Sequence, residues 1–249
     1  PSATSPGLTD LDDKGFFFRT APSDARGGQI LADITKDRKI KSVAITYTNN
    51  DYGKGLADVY ASAVKAHGIK VTTTAAHEDG KADYTAEVST LASAGGDALV
   101  VIGYLDQGGK GIIQGSLDSG AFDTFILSDG MIGDSLTDAF GKNLNKSFGS
   151  LPGSTGKGAG VFAKVAKAGG IDSSGPYTGE SYDAAALLVL AMQAGGSADR
   201  ASIAKNVMSV ANGPGKKIYP GELKKALDLL ANGKAVDYEG ATGVSFTDV

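Results

Sequence analysis

The sequence predicts an α/β fold in which helices cover both faces of a parallel sheet, and three observations support this. Short β-branched apolar runs alternate with longer segments in which apolar residues recur at helical spacing. The chain is 41% hydrophobic and only 21% charged, which is typical of a globular protein with a sizeable core. Its 36 glycines can supply the tight turns that link strands and helices. Because alternating strands and helices build right-handed βαβ units, the strands are expected to run parallel.

Strands, loops and helices follow one another regularly in the first part of the chain. The strands are expected at residues 42–47, 69–73, 98–102 and 124–127. A helix with apolar residues at positions 56–64 follows the first strand and should end before Gly68, since glycine favours the left-handed helix terminus. A second helix is expected at 83–94, and a short one around residues 112–113. Ligands of such sheets bind beyond the carboxyl ends of the strands, so the loops that follow the strands are the candidate sites.

The second part of the chain has a different character. Residues 149–160 are rich in glycine and serine and are predicted to form a linker or crossover. Beyond them we expect helices at 161–168, 182–194, 199–211 and 221–232, and a strand at 244–246 that the chain end cuts short. These helices have too few strands to cover. Their sheet is therefore expected to lie in residues outside this sequence.

Charge and composition argue against several classes of protein. The net charge is −4 and the pI is near 5.2, whereas a nucleic-acid-binding protein needs a basic face. No apolar run approaches the roughly 18–20 residues that span a bilayer. The chain has no cysteine, which excludes disulfides and thiolate sites, and only two histidines, which argues against a histidine-based metal centre. We therefore expect no metal and no cofactor.

Further motifs are interpreted as structural rather than catalytic. The loop at 153–158 resembles a phosphate-binding loop, but it lacks the first glycine and the final Ser or Thr of that motif, so a flexible linker is favoured. His67 and His77 are both interpreted as surface residues without a catalytic partner. The acidic residues between positions 10 and 13 lack the ligand spacing of a calcium loop and are interpreted as a solvated loop. No G-x-S-x-G motif supplies a nucleophile, and the sequence predicts no enzyme.

Two tyrosines and one aspartate lie directly after three of the predicted strands. They are Tyr52, Tyr104 and Asp129. Since the carboxyl ends of parallel strands share one edge of the sheet, these side chains are expected to converge. One interpretation is structural, because loop tyrosines pack over strand ends and Asp-Gly is a common turn pair. The other is a site for a small ligand with an apolar part and a cationic amine.

Several segments are recognisable when they are taken together. They are residues 1–6 (PSATSP), 17–24 (FFRTAPSD), 50–55 (NDYGKG) and 243–246 (GVSF). In these segments the chain closely resembles the type I periplasmic binding proteins. The branch it resembles most is the leucine/isoleucine/valine-binding subfamily of ABC-transporter substrate-binding proteins. The resemblance extends over the whole chain.

The resemblance implies two Rossmann-like lobes with parallel sheets, joined by a three-segment hinge. On this basis residues 1–21 are the end of the first lobe and the hinge, and residues 22–148 form the second α/β lobe. Residues 149–249 are then the crossover and the return into the first lobe. The first lobe is expected to be incomplete, because the family's amino-terminal part and last strands have no counterpart in this sequence.

The resemblance also implies which residues contact the ligand. In the first lobe, the segment that matches Ser2, Ala3 and Thr4 binds the ligand's carboxylate and ammonium through backbone groups and a hydroxyl. Tyr177 resembles an aromatic position on the wall of the same lobe.

In the second lobe, Tyr52 and Tyr104 match tyrosines that close against the ligand. Asp129 stands where close relatives carry a glutamate that pairs with the ammonium. The substitution keeps the charge and shortens the side chain by one methylene. An α-amino acid is a zwitterion, so a binding cleft must offer both hydrogen-bond donors and an anion.

The function implied by the resemblance is that of an extracytoplasmic solute-binding protein. It would bind a small amino acid, aliphatic or branched-chain, between the two lobes and deliver it to the ABC permease in the inner membrane. The expected location is the periplasm, with the signal peptide absent from this chain, and the expected state is a monomer. Two alternatives stay open: a ligand-sensing module of a receptor or regulator with the same fold, and binding of an amide, urea or aromatic acid. An enzyme on a Rossmann-like scaffold is a third, weaker alternative.

Overall fold

A computed structural model of the chain describes residues 1–247, and within them the chain forms two compact units. We call them the sheet unit and the helical unit. The sheet unit consists of Thr4–Leu8 and Pro22–Pro152. The helical unit consists of Pro1–Ala3, Thr9–Ala21 and the residues from Gly153 onward. The predicted range 149–249 ends on two residues, Asp248 and Val249, that lie outside the described part.

The boundaries of the units differ from the predicted boundaries at two places. Residues 4–8 belong to the sheet unit, although the sequence assigns them with the rest of 1–21 to the other lobe. The reason is local bonding, because the Asp24 N–H donates to the Thr4 carbonyl at 2.8 Å. Residues 149–152 also belong to the sheet unit, since the chain forms one more short strand there before it leaves.

The sheet unit contains five parallel strands. They are β1 (Ser42–Thr48), β2 (Lys70–His77), β3 (Ala98–Ile102), β4 (Phe125–Leu127) and β5 (Phe148–Gly149). Their order across the sheet is β2-β1-β3-β4-β5, and each neighbouring pair is parallel. This confirms the predicted α/β class and the first four strands. The sequence misses β5 because two residues are too short for a periodic pattern.

Helices cover both faces of this sheet. They are α1 (Asp24–Asp37), α2 (Asp51–Ala66), α3 (Thr85–Ala94), α4 (Lys110–Ser119) and α5 (Asp134–Phe140). The core residues alternate along β3, as the side chains of a strand must. Val100 and Ile102 pack with α1 and α2, whereas Leu99 and Val101 pack with α3, α4 and α5. Because both faces of the sheet are buried, the strands are continuous apolar runs in the sequence.

Helix α1 is not predicted by the sequence analysis. Its adjacent glycines, Gly27 and Gly28, lower the intrinsic helix propensity of the segment. Packing compensates for this, because a Cβ on Gly28 would lie 2.7 Å from Val59 of α2. The absent side chain therefore lets the two helices approach closely. The Ser23 hydroxyl caps the helix by accepting the Ala25 N–H.

The strand order creates a topological switch point between β1 and β3. Helix α2 leaves β1 toward one face of the sheet, whereas α4 leaves β3 toward the other. The two loops diverge and leave a crevice at the carboxyl end of the sheet. In open parallel sheets this crevice is where ligands bind.

The helical unit is built mainly from helices around a small parallel sheet. Its elements are α6 (Lys157–Ala168), α7 (Thr178–Gly195), α8 (Arg200–Ala211), β6 (Lys216–Ile218), α9 (Leu223–Ala231) and β7 (Val236–Tyr238). Strands β6 and β7 pair in parallel. The core lies among α7, α8, α9 and this sheet. The four helices are predicted by the sequence, but the two three-residue strands are not. The predicted linker is also shorter than expected, because α6 begins at Lys157.

The strand predicted at 244–246 is wrong. These residues have no regular secondary structure. The Asn212 side chain satisfies the backbone of Phe246, accepting its N–H at 2.9 Å and donating to its carbonyl at 2.7 Å. The Phe246 ring packs edge-on against Phe18, with 5.5 Å between the centroids. The Asn212 amide thus makes the two backbone hydrogen bonds to Phe246 that a neighbouring strand would make if 244–246 were a strand.

Candidate functional site

The loop after β1 brings Tyr52 to the switch point. Asn50 caps α2 by accepting the Gly53 N–H at 2.9 Å, so the helix begins directly after the strand. The turn is tight because a Cβ on Gly53 would lie only 2.2 Å from the Thr48 carbonyl oxygen. Only glycine fits at this position. Tyr52 is therefore held at the edge of the sheet with its ring half-buried.

Replacing Gly53 with alanine is expected to destabilise the sheet unit by about 2 kcal/mol, because the new methyl group overlaps backbone that cannot move freely. Urea denaturation followed by circular dichroism measures the effect. Gly160, in α6, is the matched control because a Cβ there meets no atom within 4 Å. Its replacement by alanine should stabilise the protein by about 0.5–1 kcal/mol. Equal effects at the two glycines would contradict the close approach.

Tyr104 follows β3, and its ring stacks on Tyr52. The ring centroids are 5.5 Å apart and the planes are inclined by 29°. Both residues are half-buried, and we call the ring pair the aromatic wall. Stacking of this kind gives the two rings a defined orientation.

Asp129 follows β4 and completes the cluster. The Tyr52 hydroxyl donates to Asp129 Oδ1 at 2.6 Å and lies 3.1 Å from Ser128 Oγ. Burial, followed by the charge and hydrogen bond of Asp129, raises the pKa of Tyr52 above its ordinary value of 10.0. The phenol therefore stays protonated and orients the carboxylate. An anion beside aromatic rings is an environment that attracts a cation.

Ser128 is a site residue that the sequence analysis does not single out. It is 1% exposed, and its hydroxyl accepts the Gly103 N–H at 3.3 Å while contacting the Tyr52 hydroxyl. In the sequence, its position between the strand predicted at 124–127 and Asp129 could have indicated a place in the site. Ser128 links the loop after β3 to the loop after β4, so it fixes Tyr104 and Asp129 relative to each other.

The structure thus brings together three of the predicted site residues: Tyr52, Tyr104 and Asp129. Thr4 also belongs to the sheet unit. It is 3% exposed, and its hydroxyl has no hydrogen-bond partner among residues 1–247. A buried hydroxyl without a partner is costly, so a polar group that bonded it would be stabilising.

The remaining predicted contacts lie in the helical unit. Ser2 is exposed and Ala3 is half-buried. Tyr177 directly precedes α7 with a φ of 58°, which is a left-handed conformation and rare for a tyrosine. These three residues thus belong to the helical unit, whereas the tyrosine–aspartate cluster belongs to the sheet unit.

The interpretation of His77 as a surface residue is wrong. His77 ends β2 and is only 2% exposed, with Nδ1 2.9 Å from the Thr46 hydroxyl. The sequence does not predict this burial, because the residues that follow His77 are polar and indicate an exposed loop. His67 is less buried and pairs with Asp33 at 2.7 Å.

The described residues contain neither a membrane-spanning helix nor a cluster of metal ligands. None of the helices in the described part of the chain is long and apolar enough to cross a bilayer. Within residues 1–247, no group of His, Asp and Glu side chains is arranged to hold a metal ion. The acidic loop is organised by the chain itself, since Asp13 accepts the N–H groups of Gly15 and Phe17.

Comparison with known proteins identifies the family. The periplasmic binding protein family model matches residues 1–220. The substrate-binding protein BasB of a chemotactic signal transduction system in Halobacterium salinarum is 28% identical, over 98% of this chain and 58% of its own. A Leu/Ile/Val-binding protein homolog of Brucella melitensis is 30% identical, over 82% of this chain and 55% of its own. The chain thus spans little more than half the length of these relatives.

Solved structures agree on the fold. The leucine binding protein LivK of Thermotoga maritima superposes with a TM-score of 0.69 at 22% identity, over 84% of this chain and 60% of LivK. LivJ of Streptococcus pneumoniae, in complex with isoleucine, gives a TM-score of 0.67 at 20% identity, over 84% of this chain and 60% of LivJ. These similarities agree with the parallel sheet covered by helices on both faces. The chain therefore belongs to the type I periplasmic binding proteins, in the subfamily that includes the Leu/Ile/Val-binding proteins.

Proposed function

We propose that this protein binds a small aliphatic or branched-chain amino acid and delivers it to the permease of an ABC importer. One observation carries the proposal: the Asp129 carboxylate is hydrogen-bonded to Tyr52 beside the stacked tyrosine pair at the switch point of the sheet. A carboxylate and two ring faces are suited to a ligand that has an ammonium group next to an apolar part.

The proposed roles follow from the charges of the ligand. The ammonium pairs with Asp129, and the tyrosine rings cover the apolar side chain. The ligand's carboxylate needs N–H and O–H donors, since a buried anion without them is unstable. We assign that role to residues 2–4, where the Thr4 hydroxyl lacks a partner within the described residues. Tyr177 is proposed as an additional aromatic contact.

The names of the relatives support this ligand class. One is a Leu/Ile/Val-binding protein homolog, another is called an amino acid binding protein, and a solved neighbour holds isoleucine. We propose by extension an extracytoplasmic location and action as a monomer. The ligand is expected to leave the protein unchanged, because the family consists of binding proteins.

Isothermal titration calorimetry of the intact protein against the amino acids tests the proposal. We expect saturable binding of at least one small aliphatic amino acid, and mass spectrometry should recover that ligand unaltered. The panel should include 4-hydroxybenzoate, which a solved neighbour from Rhodopseudomonas palustris binds, together with a small amide and urea. Binding of one of these, with no amino acid bound, would overturn the proposed ligand class.

A sensory role is the second candidate, and the chemotactic relative from Halobacterium salinarum is the observation that favours it. The two roles predict different phenotypes when the gene is deleted. Deletion of the gene should abolish uptake of the labelled ligand if the protein serves an importer. Loss of chemotaxis toward the ligand, with uptake unchanged, would identify a sensor instead.

A further inference from the structure

His77 is a buried titratable residue in contact with the backbone that leads into Tyr104. Its ring is held by Thr46 through Nδ1, and its Nε2 has no hydrogen-bond partner among the residues the structure describes. Nε2 faces Gly103, because a Cβ added to that glycine would lie 3.1 Å from it. Gly103 is the residue immediately before Tyr104. The imidazole therefore abuts the backbone that carries one of the two stacked rings.

Gly103 is confined from its other side as well. Its N–H donates to Ser128, and its carbonyl oxygen lies so close to Gly130 that a Cβ there would be 2.4 Å away. The loop that follows is tied to the loop after β2, since the Tyr84 hydroxyl and the Gly80 N–H both donate to the Gln107 carbonyl. A displacement of the His77 ring would thus be transmitted to the backbone of Tyr104.

Burial and the neighbouring carboxylates act in opposite directions on the pKa of His77. Burial lowers the pKa of His77 below its ordinary value of 6.5, although Asp79, Glu87 and Glu78 act in the opposite direction. All three carboxylates already have partners. Asp79 accepts the Thr48 hydroxyl, and Glu87 pairs with Lys81. Glu78 accepts the Asn49 side-chain amide at 2.6 Å. The ring is therefore neutral at pH 7. A second proton would place a charged N–H against Gly103 in a space that water does not reach.

We propose that His77 is a positioning residue for Tyr104, and that its protonation in mildly acidic solution shifts this tyrosine and weakens ligand binding. The inference rests on the proposed function, because it assigns Tyr104 to the ligand site. Binding and protonation are linked reciprocally. If the bound state favours the neutral ring, affinity is full above the pKa of the free protein and falls as the pH decreases through it.

The two histidines of the chain provide a matched test. His77→Asn removes the titration and keeps an amide that can bond Thr46, whereas His67→Asn removes the surface histidine. Calorimetry measures the affinity for the amino acid that binds best at about pH 7.5 and about pH 5. The wild type and His67→Asn should lose about tenfold in affinity on acidification, and His77→Asn less than about twofold. The same pH dependence in all three proteins would overturn the proposal.

A measurement without ligand separates this inference from the proposed function. Fluorotyrosine is incorporated, and Tyr104→Phe identifies the fluorine signal of Tyr104. That signal should shift on acidification with the same midpoint as the ring protons of His77, and should not shift in His77→Asn. If that variant does not fold, the two midpoints in the wild type decide the question. If the fluorine signal of Tyr104 does not shift while His77 titrates, the inference is refuted, whether or not any amino acid binds.

Discussion

Replacing Asp183 with alanine is expected to lower the free energy of unfolding by about 4 kcal/mol, which is a large effect for a single substitution. Asp183 lies in α7 and is fully buried, with no exposed surface. Its Oδ1 accepts the Tyr238 hydroxyl at 2.9 Å and the Ala241 N–H at 2.7 Å. Its Oδ2 accepts the N–H and the hydroxyl of Thr242, at 2.9 and 2.7 Å.

These hydrogen bonds hold the turn after β7 against α7. The turn contains Gly240 at a φ of 58°, and a Cβ there would lie 2.3 Å from Asp183 Oδ1. Burial, together with the charge of Asp183, raises the pKa of Tyr238 above its ordinary value, so this phenol remains a donor. Removing the carboxylate would leave several buried donors without an acceptor, each at a cost of about 1–3 kcal/mol before the structure relaxes.

Urea denaturation followed by circular dichroism measures the loss. Asp183→Asn is the shape-preserving variant, and it should also destabilise, because an amide nitrogen cannot accept the donors that face it. Asp199→Ala is the matched control: this aspartate caps α8 and is exposed, so its loss should cost about 1 kcal/mol. A similar small effect for Asp183→Ala would mean that the four hydrogen bonds contribute little.

Asp183 also illustrates what a sequence pattern can and cannot predict. The apolar run around it predicts a buried helix, and α7 confirms that helix. A single aspartate inside such a run must be satisfied if it is buried, but the sequence does not say by what. Its donors come from residues 238–242, which are more than fifty positions away along the chain. Local patterns predict elements because periodicity is local, whereas hydrogen-bond networks join distant segments.

The same limit applies to predicting the candidate site from the sequence. Convergence of Tyr52, Tyr104 and Asp129 could be predicted, since the carboxyl ends of parallel strands meet at one edge. The roles of Ser128 and His77 could not, because both depend on contacts between segments that are distant along the chain. Burial of His77 is especially hard to predict because the residues that follow it, at 78–81, are mostly charged.

Replacing Asp129 with asparagine is expected to weaken amino-acid binding by about 100-fold, which is the second large effect. The substitution keeps the size of the side chain and removes its charge. The ligand's ammonium would then lose its ionic partner inside the site while still losing its water on binding. Tyr52→Phe should have a smaller effect, about tenfold, because it removes only the hydroxyl that orients the carboxylate.

Calorimetry on the Asp129 variant needs two controls. Asp134→Asn removes a nearby but exposed charge at the start of α5 and should change the affinity by less than about twofold, since exposed charges are screened by solvent. The second control is a ligand analogue that lacks the amine. If the ammonium pairs with Asp129, the amine-free acid should bind the wild type no more tightly than it binds Asp129→Asn. An equal loss for both ligands would instead mean that the substitution disturbs the aromatic wall. A loss below about threefold for the amino acid would place the ammonium elsewhere in the protein, because a buried charge pair cannot be broken at so small a cost.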